Sequence, residues 1–167
     1  QLLVQKGLVA RDGKRQQALR PPIEHQPAAF GTGHTELVLD LRYNGGGLVS
    51  TAEILGDLLG GDRSTADVQL RMVHSAAKAA QNTTRNFRPT AQSVQPVRIA
   101  FLTTAATASA SEININAMHA WAEVAIVGSD TYGKPVGQLA FDLGNACTDR
   151  LRLVTFKTVN ADGVGDY

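Results

Sequence analysis

Cysteine is almost missing from the chain. A single Cys147 among 167 residues excludes an internal disulfide and any cysteine-rich metal site. Charge of one sign is missing too: 16 basic residues face 15 acidic ones for a net charge of +1, with no run of like charges. That balance argues against nucleic acid or an anionic membrane surface as a partner. No apolar stretch reaches the roughly 18 residues of a membrane span, so no integral membrane segment is expected. No signal peptide is read at Gln1, which leaves a cytoplasmic chain or the mature part of an exported one. Nucleotide-binding loops are absent as well: the glycines at 45–47 are followed by no Gly-Lys-Ser/Thr and belong to no Gly-x-Gly-x-x-Gly.

A chain of this length suffices for one domain, burying roughly two thirds of its unfolded surface. Its first 35 residues are poorly defined: an apolar alternation over 1–9 that fits a strand, a basic glutamine-rich piece from Arg11 to Arg20, a break at Arg20-Pro-Pro, and a loop over 21–33. Beyond them strands and helices alternate. Glu36 to Leu41 reads as a central strand, and Val49 to Leu59 as a helix with Ala52, Leu55, Leu58 and Leu59 on one face. Val97 to Thr103 reads as a second strand, Ala110 to Trp121 as a second helix with Ile113, Ala117 and Trp121 on its stripe, and Val124 to Val127 as a third strand. The alternation predicts an α/β domain with a largely parallel sheet and flanking helices. Between these units, Val68 to Val73 reads as an alternating strand. Gln81 to Asn86 reads as a polar surface excursion with Phe87 packed inward, with a lid over the site as the other reading. Leu139 and Phe141 suit an edge strand against which a peptide could pair, and Leu151 to Val159 reads as another strand.

Chemistry concentrates between Thr107 and Gln138. Ser109 falls where a buried strand turns into a helix, and the first helical amides there have no intrahelical partners. The Ala110 N–H can therefore bind negative charge developing beside the Ser109 hydroxyl. A serine hydroxyl needs a base. Of the histidines, His25, His34, His74 and His119, none lies in a turn that suggests an active-site loop, and His119 reads as a solvated surface residue. Lys134 follows Tyr132-Gly133 in a polar turn, and it can act as base if desolvation depresses its pKa enough to leave it neutral. Gln138, four residues on, could orient that amine without adding charge. Ser111 is a competing nucleophile, although as the second helical residue it points round the helix from Ser109. Glu112 fits the N3 position of a capping box. The glycine loop Gly45-Gly-Gly47 is either a tight turn or a place where a ligand approaches the main chain. Asp40 and Arg42 are read as structural, paired with each other or with the loop backbone.

The segments Leu37-Val-Leu-Asp-Leu-Arg-Tyr-Asn-Gly-Gly-Gly47, Thr107-Ala-Ser-Ala-Ser-Glu112 and Gly133-Lys-Pro-Val-Gly-Gln138 resemble those of the C-terminal processing peptidases, also called tail-specific proteases, which use a Ser/Lys dyad. The resemblance spans roughly Glu36 to Asp142. It implies Ser109 as nucleophile, Lys134, 25 positions later, as base, and Gln138, four further, as its assistant. It also implies a Gly45 or Gly46 amide as the second oxyanion donor beside Ala110, a crotonase/Clp-protease-like core, no cofactor or metal, and protein or peptide substrates cut near their C-termini in the bacterial cell envelope, periplasm or secreted space. One branch of the family carries an aspartate eleven residues past the nucleophile. Position 120 here is Ala, which favours the Ser/Lys/Gln version. The family usually places a PDZ domain before its core. Nothing here is long enough to be one, so a single catalytic domain over 1–167 is expected, with Cys147 either an unpaired thiol or half of a pair whose partner is missing. Two rivals remain beside the peptidase: a silent peptide-binding module of the same shape, and a crotonase-type enzyme holding a thioester oxyanion on the glycine loop.

Overall fold

The protein was analysed as a computed structural model, which describes residues 36–144 and 149–166. The strand over 1–9, the pieces over 11–33, His25, His34 and Cys147 lie outside the described residues.

Among the described residues, seven strands fall into two sheets. The parallel one has the order β1-β4-β5, built from β1 (Glu36–Asp40), β4 (Arg98–Thr103) and β5 (Glu123–Gly128). Leu37 pairs with Ile99 and Leu39 with Phe101, while Ala100 faces Ala125 across the second ladder. Helix α1 (Val49–Leu59) follows β1, and α2 (Ala110–His119) carries the chain from β4 to β5. The second sheet is antiparallel, with the order β3-β2-β7-β6, and comprises β2 (Val68–His74), β3 (Thr83–Asn86), β6 (Val136–Asp142) and β7 (Arg150–Val159).

A largely parallel sheet was the expectation, and the structure corrects it: the larger sheet is wholly antiparallel. The reason lies in the connections. Parallel neighbours need long crossovers, which the helices supply, whereas β2 and β3 are joined only by a short 3-10 turn, Ala76–Gln81, and such short links return the chain antiparallel. β3 was read as a surface excursion because Thr-Thr-Arg-Asn has no apolar alternation; it is an edge strand. Phe87, just after it, is fully buried, as expected.

The core groups Leu39, Leu41, Leu55, Leu59, Phe87, Ile99, Phe101, Ile115 and Met118, with Trp121 packed at its margin. A second cluster joins Ala52 and Leu70 to Ala110 and Ile113. Helix α2 contributes to both. Every residue from Ala110 to Met118 is buried, so it is a central helix rather than one with a single apolar stripe. That explains its polar side chains, each of which needs a partner once removed from water. Asn114 donates to Ala110 O at 3.2 Å and Asn116 to Val164 O at 2.8 Å. In α1 the buried set is Ala52, Leu55, Gly56, Asp57 and Leu59, while Leu58 is half-buried. Asp57 receives the Arg85 guanidinium at 2.5 Å and the Arg88 N–H at 2.7 Å, which ties α1 to the β3 edge.

Candidate active site

The three sequence motifs meet on one rim. The glycine loop leaves the C-terminal end of β1, the Ser109 turn leaves that of β4, and the Lys134 loop follows that of β5. Open parallel sheets bind ligands along that edge. The rim is stitched by backbone and threonine bonds. Thr107, fully buried, donates its hydroxyl to Leu41 O at 2.7 Å, and its carbonyl accepts the Tyr132 N–H at 2.9 Å, so it touches all three strand ends.

Among the described residues two non-glycines have positive φ, and both flank this rim: Tyr43 (62°) and Ser109 (57°). Such backbone costs on the order of 1–3 kcal/mol and persists where the surroundings enforce it. At Ser109 the turn between strand and helix is held by Glu112, whose carboxylate accepts the Ser109 N–H at 2.6 Å. This is the backbone half of the expected capping box, and it goes further. The same carboxylate, 1% exposed, accepts the Gly133 N–H at 2.6 Å and the Lys134 N–H at 3.0 Å. One buried carboxylate thus fixes the Ser109 turn to the Lys134 loop through three charge-assisted bonds. Sequence reasoning assigned Glu112 only to its own helix; its 21-residue reach to Gly133 has no local signal.

The glycine loop closes on the serine turn from the other side. A Cβ on Gly46 (φ +89°) would lie 2.6 Å from Ala110 N and 3.0 Å from Ser109 Cβ, so only glycine permits this approach. The structure separates the two proposed glycine donors. The Gly46 N–H is turned inward onto Asn44 Oδ1 at 3.1 Å. Gly45 and Ala110 N–H donate to no protein acceptor among the described residues.

Lys134 is half-buried and Gln138 exposed. No hydrogen bond joins the Ser109 hydroxyl to Lys134 or Lys134 to Gln138 among the described residues; such bonds are often long before substrate binds. The Lys134 loop is anchored at its far end where Pro135 O accepts the Thr158 N–H at 2.8 Å. Gln138 sits just past a β-bulge, since Gly137 pairs with Phe156 but Gln138 with Val154. Leu139 and Phe141 follow on β6, which is an edge strand, and both are exposed.

The remaining candidates sort clearly. Ser111 is fully buried, which removes it as a nucleophile. Asp40 and Arg42 pair with each other, with the guanidinium donating to the carboxylate at 2.7 Å, and that bond holds the Asp40 carboxyl below its ordinary pKa. His119 is exposed at the end of α2, and partial burial of its ring pushes its pKa down. A cavity of about 360 Å³ borders Glu112, Asn116, His119, Asn160 and Asp162, but neither Ser109 nor Lys134 lines it. Among the described residues no group of His, Cys, Asp or Glu is arranged to hold a metal ion, and no helix is long and apolar enough to cross a membrane.

A positive-φ serine at a strand-to-helix turn thus lies beside an uncommitted helical amide and a glycine loop on a mixed α/β core. The chain belongs to peptidase family S41, whose model matches residues 24–165. No curated protein matches it. Among solved structures it is similar to an S41 protease of Bacteroides fragilis, at 28% identity and TM-score 0.69, over 80% of this chain and 35% of that one. It is also similar to the photosystem II D1 C-terminal processing protease, at 23% identity and TM-score 0.63, over 78% and 31% of the two chains. A lipoprotein from Streptococcus agalactiae matches at 21% identity and TM-score 0.57, over 80% and 46%. The last two are likenesses of fold. The chain therefore spans between about a third and a half of the length of these relatives.

Proposed function

We propose that this chain is the single catalytic domain of a serine endopeptidase, with Ser109 as nucleophile, Lys134 as general base and Gln138 as the residue that orients Lys134. Ser109 Oγ attacks a peptide carbonyl while Lys134 Nζ takes its proton. The resulting oxyanion is held by the Ala110 and Gly45 N–H groups. Collapse of that tetrahedral state breaks the C–N bond as Lys134 returns the proton to the leaving amine. Water, deprotonated by the same lysine, then cleaves the acyl-enzyme. No cofactor takes part. The single observation that carries this reading is the three-way grip of Glu112, which holds the Ser109 turn and the Lys134 loop together in a chain whose family is a peptidase family.

The substrate lies as an added strand along the β6 edge, its alternate side chains against Leu139 and Phe141, which leads it toward Ser109. Cleavage near protein C-termini and a cell-envelope or secreted location belong to the same proposal, as the resemblance of the three motifs implies.

The test is labelling with a fluorophosphonate probe and peptide mapping, on the wild type and on Ser109→Ala and Lys134→Ala. The expected result is an adduct on Ser109 that rises with pH and disappears in both variants. A folded wild type that takes no adduct would sink the peptidase reading in favour of a peptide-binding module.

A further inference from the structure

The second serine of the Ser-Ala-Ser-Glu run has no part in the mechanism above, yet it is fully buried and its hydroxyl is committed. Ser111 Oγ donates to Asn44 Oδ1 at 2.9 Å and lies 3.0 Å from Asn44 O. Asn44 is the residue just before the three glycines. Its carbonyl also accepts the Ala108 N–H at 3.1 Å, and its side-chain oxygen accepts the Gly46 N–H at 3.1 Å. Four contacts therefore converge on one asparagine: two from the serine hydroxyl, one from the turn before Ser109 and one from the glycine loop. They join segments more than 60 residues apart in sequence.

Two consequences follow for the neighbouring amides. Of the two candidate donors, drawing the Gly46 N–H inward leaves Gly45 as the one whose N–H meets no acceptor among the described residues. Holding Ala108 and Ser111 to the same residue fixes the turn that carries the Ala110 N–H. The distance between the two uncommitted donors is thus set by Asn44 and Ser111, neither of which meets the reacting atoms.

We propose that Asn44 and Ser111 form a latch that positions the two oxyanion donors, Gly45 N–H and Ala110 N–H. The proposal rests on the peptidase reading above. Removing one oxyanion donor outright costs about 10²–10³ in kcat. Loosening the latch misplaces both donors without deleting either, so Ser111→Ala is expected to lower kcat by roughly 10–100-fold. KM for a fluorogenic apolar peptide amide should stay within about twofold, because ground-state binding does not use the oxyanion pocket.

A peptide aldehyde supplies the readout that a merely structural role would not move. It binds as a tetrahedral adduct, so its inhibition constant should rise by the same factor by which kcat/KM falls. Asn44→Asp guards against misfolding: it keeps the acceptor for both Gly46 and Ser111 but sets a full negative charge beside the developing oxyanion. It should melt near the wild type and still lose at least about tenfold in kcat. A wild type that labels on Ser109, with Ser111→Ala and Asn44→Asp matching it in kcat and aldehyde affinity, overturns the latch alone. Equal losses in KM and kcat with unchanged aldehyde affinity overturn it as well. A folded wild type that takes no adduct on Ser109 overturns the peptidase reading and the latch together.

Discussion

Helix α2 and the outer half of the β6–β7 ribbon are opposites, and the proposed site lies at their border. Nine successive residues of α2 are buried, and even its polar side chains are absorbed by internal partners. In the ribbon, residues 138–142 and 150–154 are all exposed. The reason is topological: β2 pairs with β7 only through residues 156–159, so beyond them β6 and β7 run on as two strands with no third among the described residues. Leu139 faces Leu153 and Phe141 faces Leu151 across that ribbon, giving it one apolar face in the open. The proposed nucleophile thus stands at the start of the most enclosed part of the described fold, while the proposed base sits at the root of the least enclosed. Rigid placement of a reacting atom and open access for a chain-like substrate are opposing demands, and the two regions divide them.

The contrast can be broken most severely from the buried side. Phe101→Ala, at a fully buried ring between the parallel strands and their helices, should lower stability by about 3–5 kcal/mol, read as a fall in denaturant midpoint. A loss under 1 kcal/mol would mean that this core is loosely packed. Next comes the joint between the regions. Glu112→Gln keeps the shape but removes the charge from three N–H contacts, and the amide can offer one acceptor oxygen where the carboxylate offers two. A loss of roughly 2–3 kcal/mol is expected, with slower labelling of Ser109 even where the protein remains folded. Labelling at the wild-type rate would show that the Lys134 loop does not need this anchor.

Ser109→Gly sharpens the comparison in the opposite direction. Glycine relieves the positive φ, so thermal unfolding should report a gain of about 1 kcal/mol while labelling is abolished. A less stable variant would show that the turn is unstrained. The smallest effect on stability belongs to the ribbon: Phe141→Ser should shift it by no more than about 0.5 kcal/mol, because the ring is already in water. Its KM for an apolar peptide should nevertheless rise severalfold, and an unchanged KM would remove Phe141 from the substrate path.

The elements that the sequence made legible are those whose signals are local. The apolar runs of β1, β4 and β5 and the spacing of α1 and α2 located each element to within a residue or two of its observed ends. The glycine loop and the Ser109 turn follow the C-terminal ends of β1 and β4, two strands that those apolar runs located. What stayed hidden depends on distant partners. β3 carries no apolar pattern and exists because β2 supplies a ladder. Gly45 and Gly46 are told apart by a local bond, since the Asn44 side chain takes the N–H two residues on, but which of the two it would take was not read from the sequence. Thr107 carries no signal of its own in the sequence, yet it joins three strand ends through contacts up to 66 residues away. Trp121 was assigned to the core stripe; it is only half-buried, and its indole N–H reaches Val68 O at 3.0 Å.

The bulge at the root of the ribbon carries an evolutionary consequence. Thr155 is the extra residue of β7, opposite none on β6, and its hydroxyl is buried without a hydrogen-bond partner among the described residues. Because this extra residue interrupts the period-two alternation at one point only, deleting it would restore a regular ladder, with Phe156 still opposite Gly137 and Val154 still opposite Gln138. Leu151 and Leu153 would keep their places opposite Phe141 and Leu139, while the local bend and added twist at the root of the ribbon would be lost. A lineage could therefore re-aim its ribbon by the loss of one codon while showing the same side chains to a passing chain.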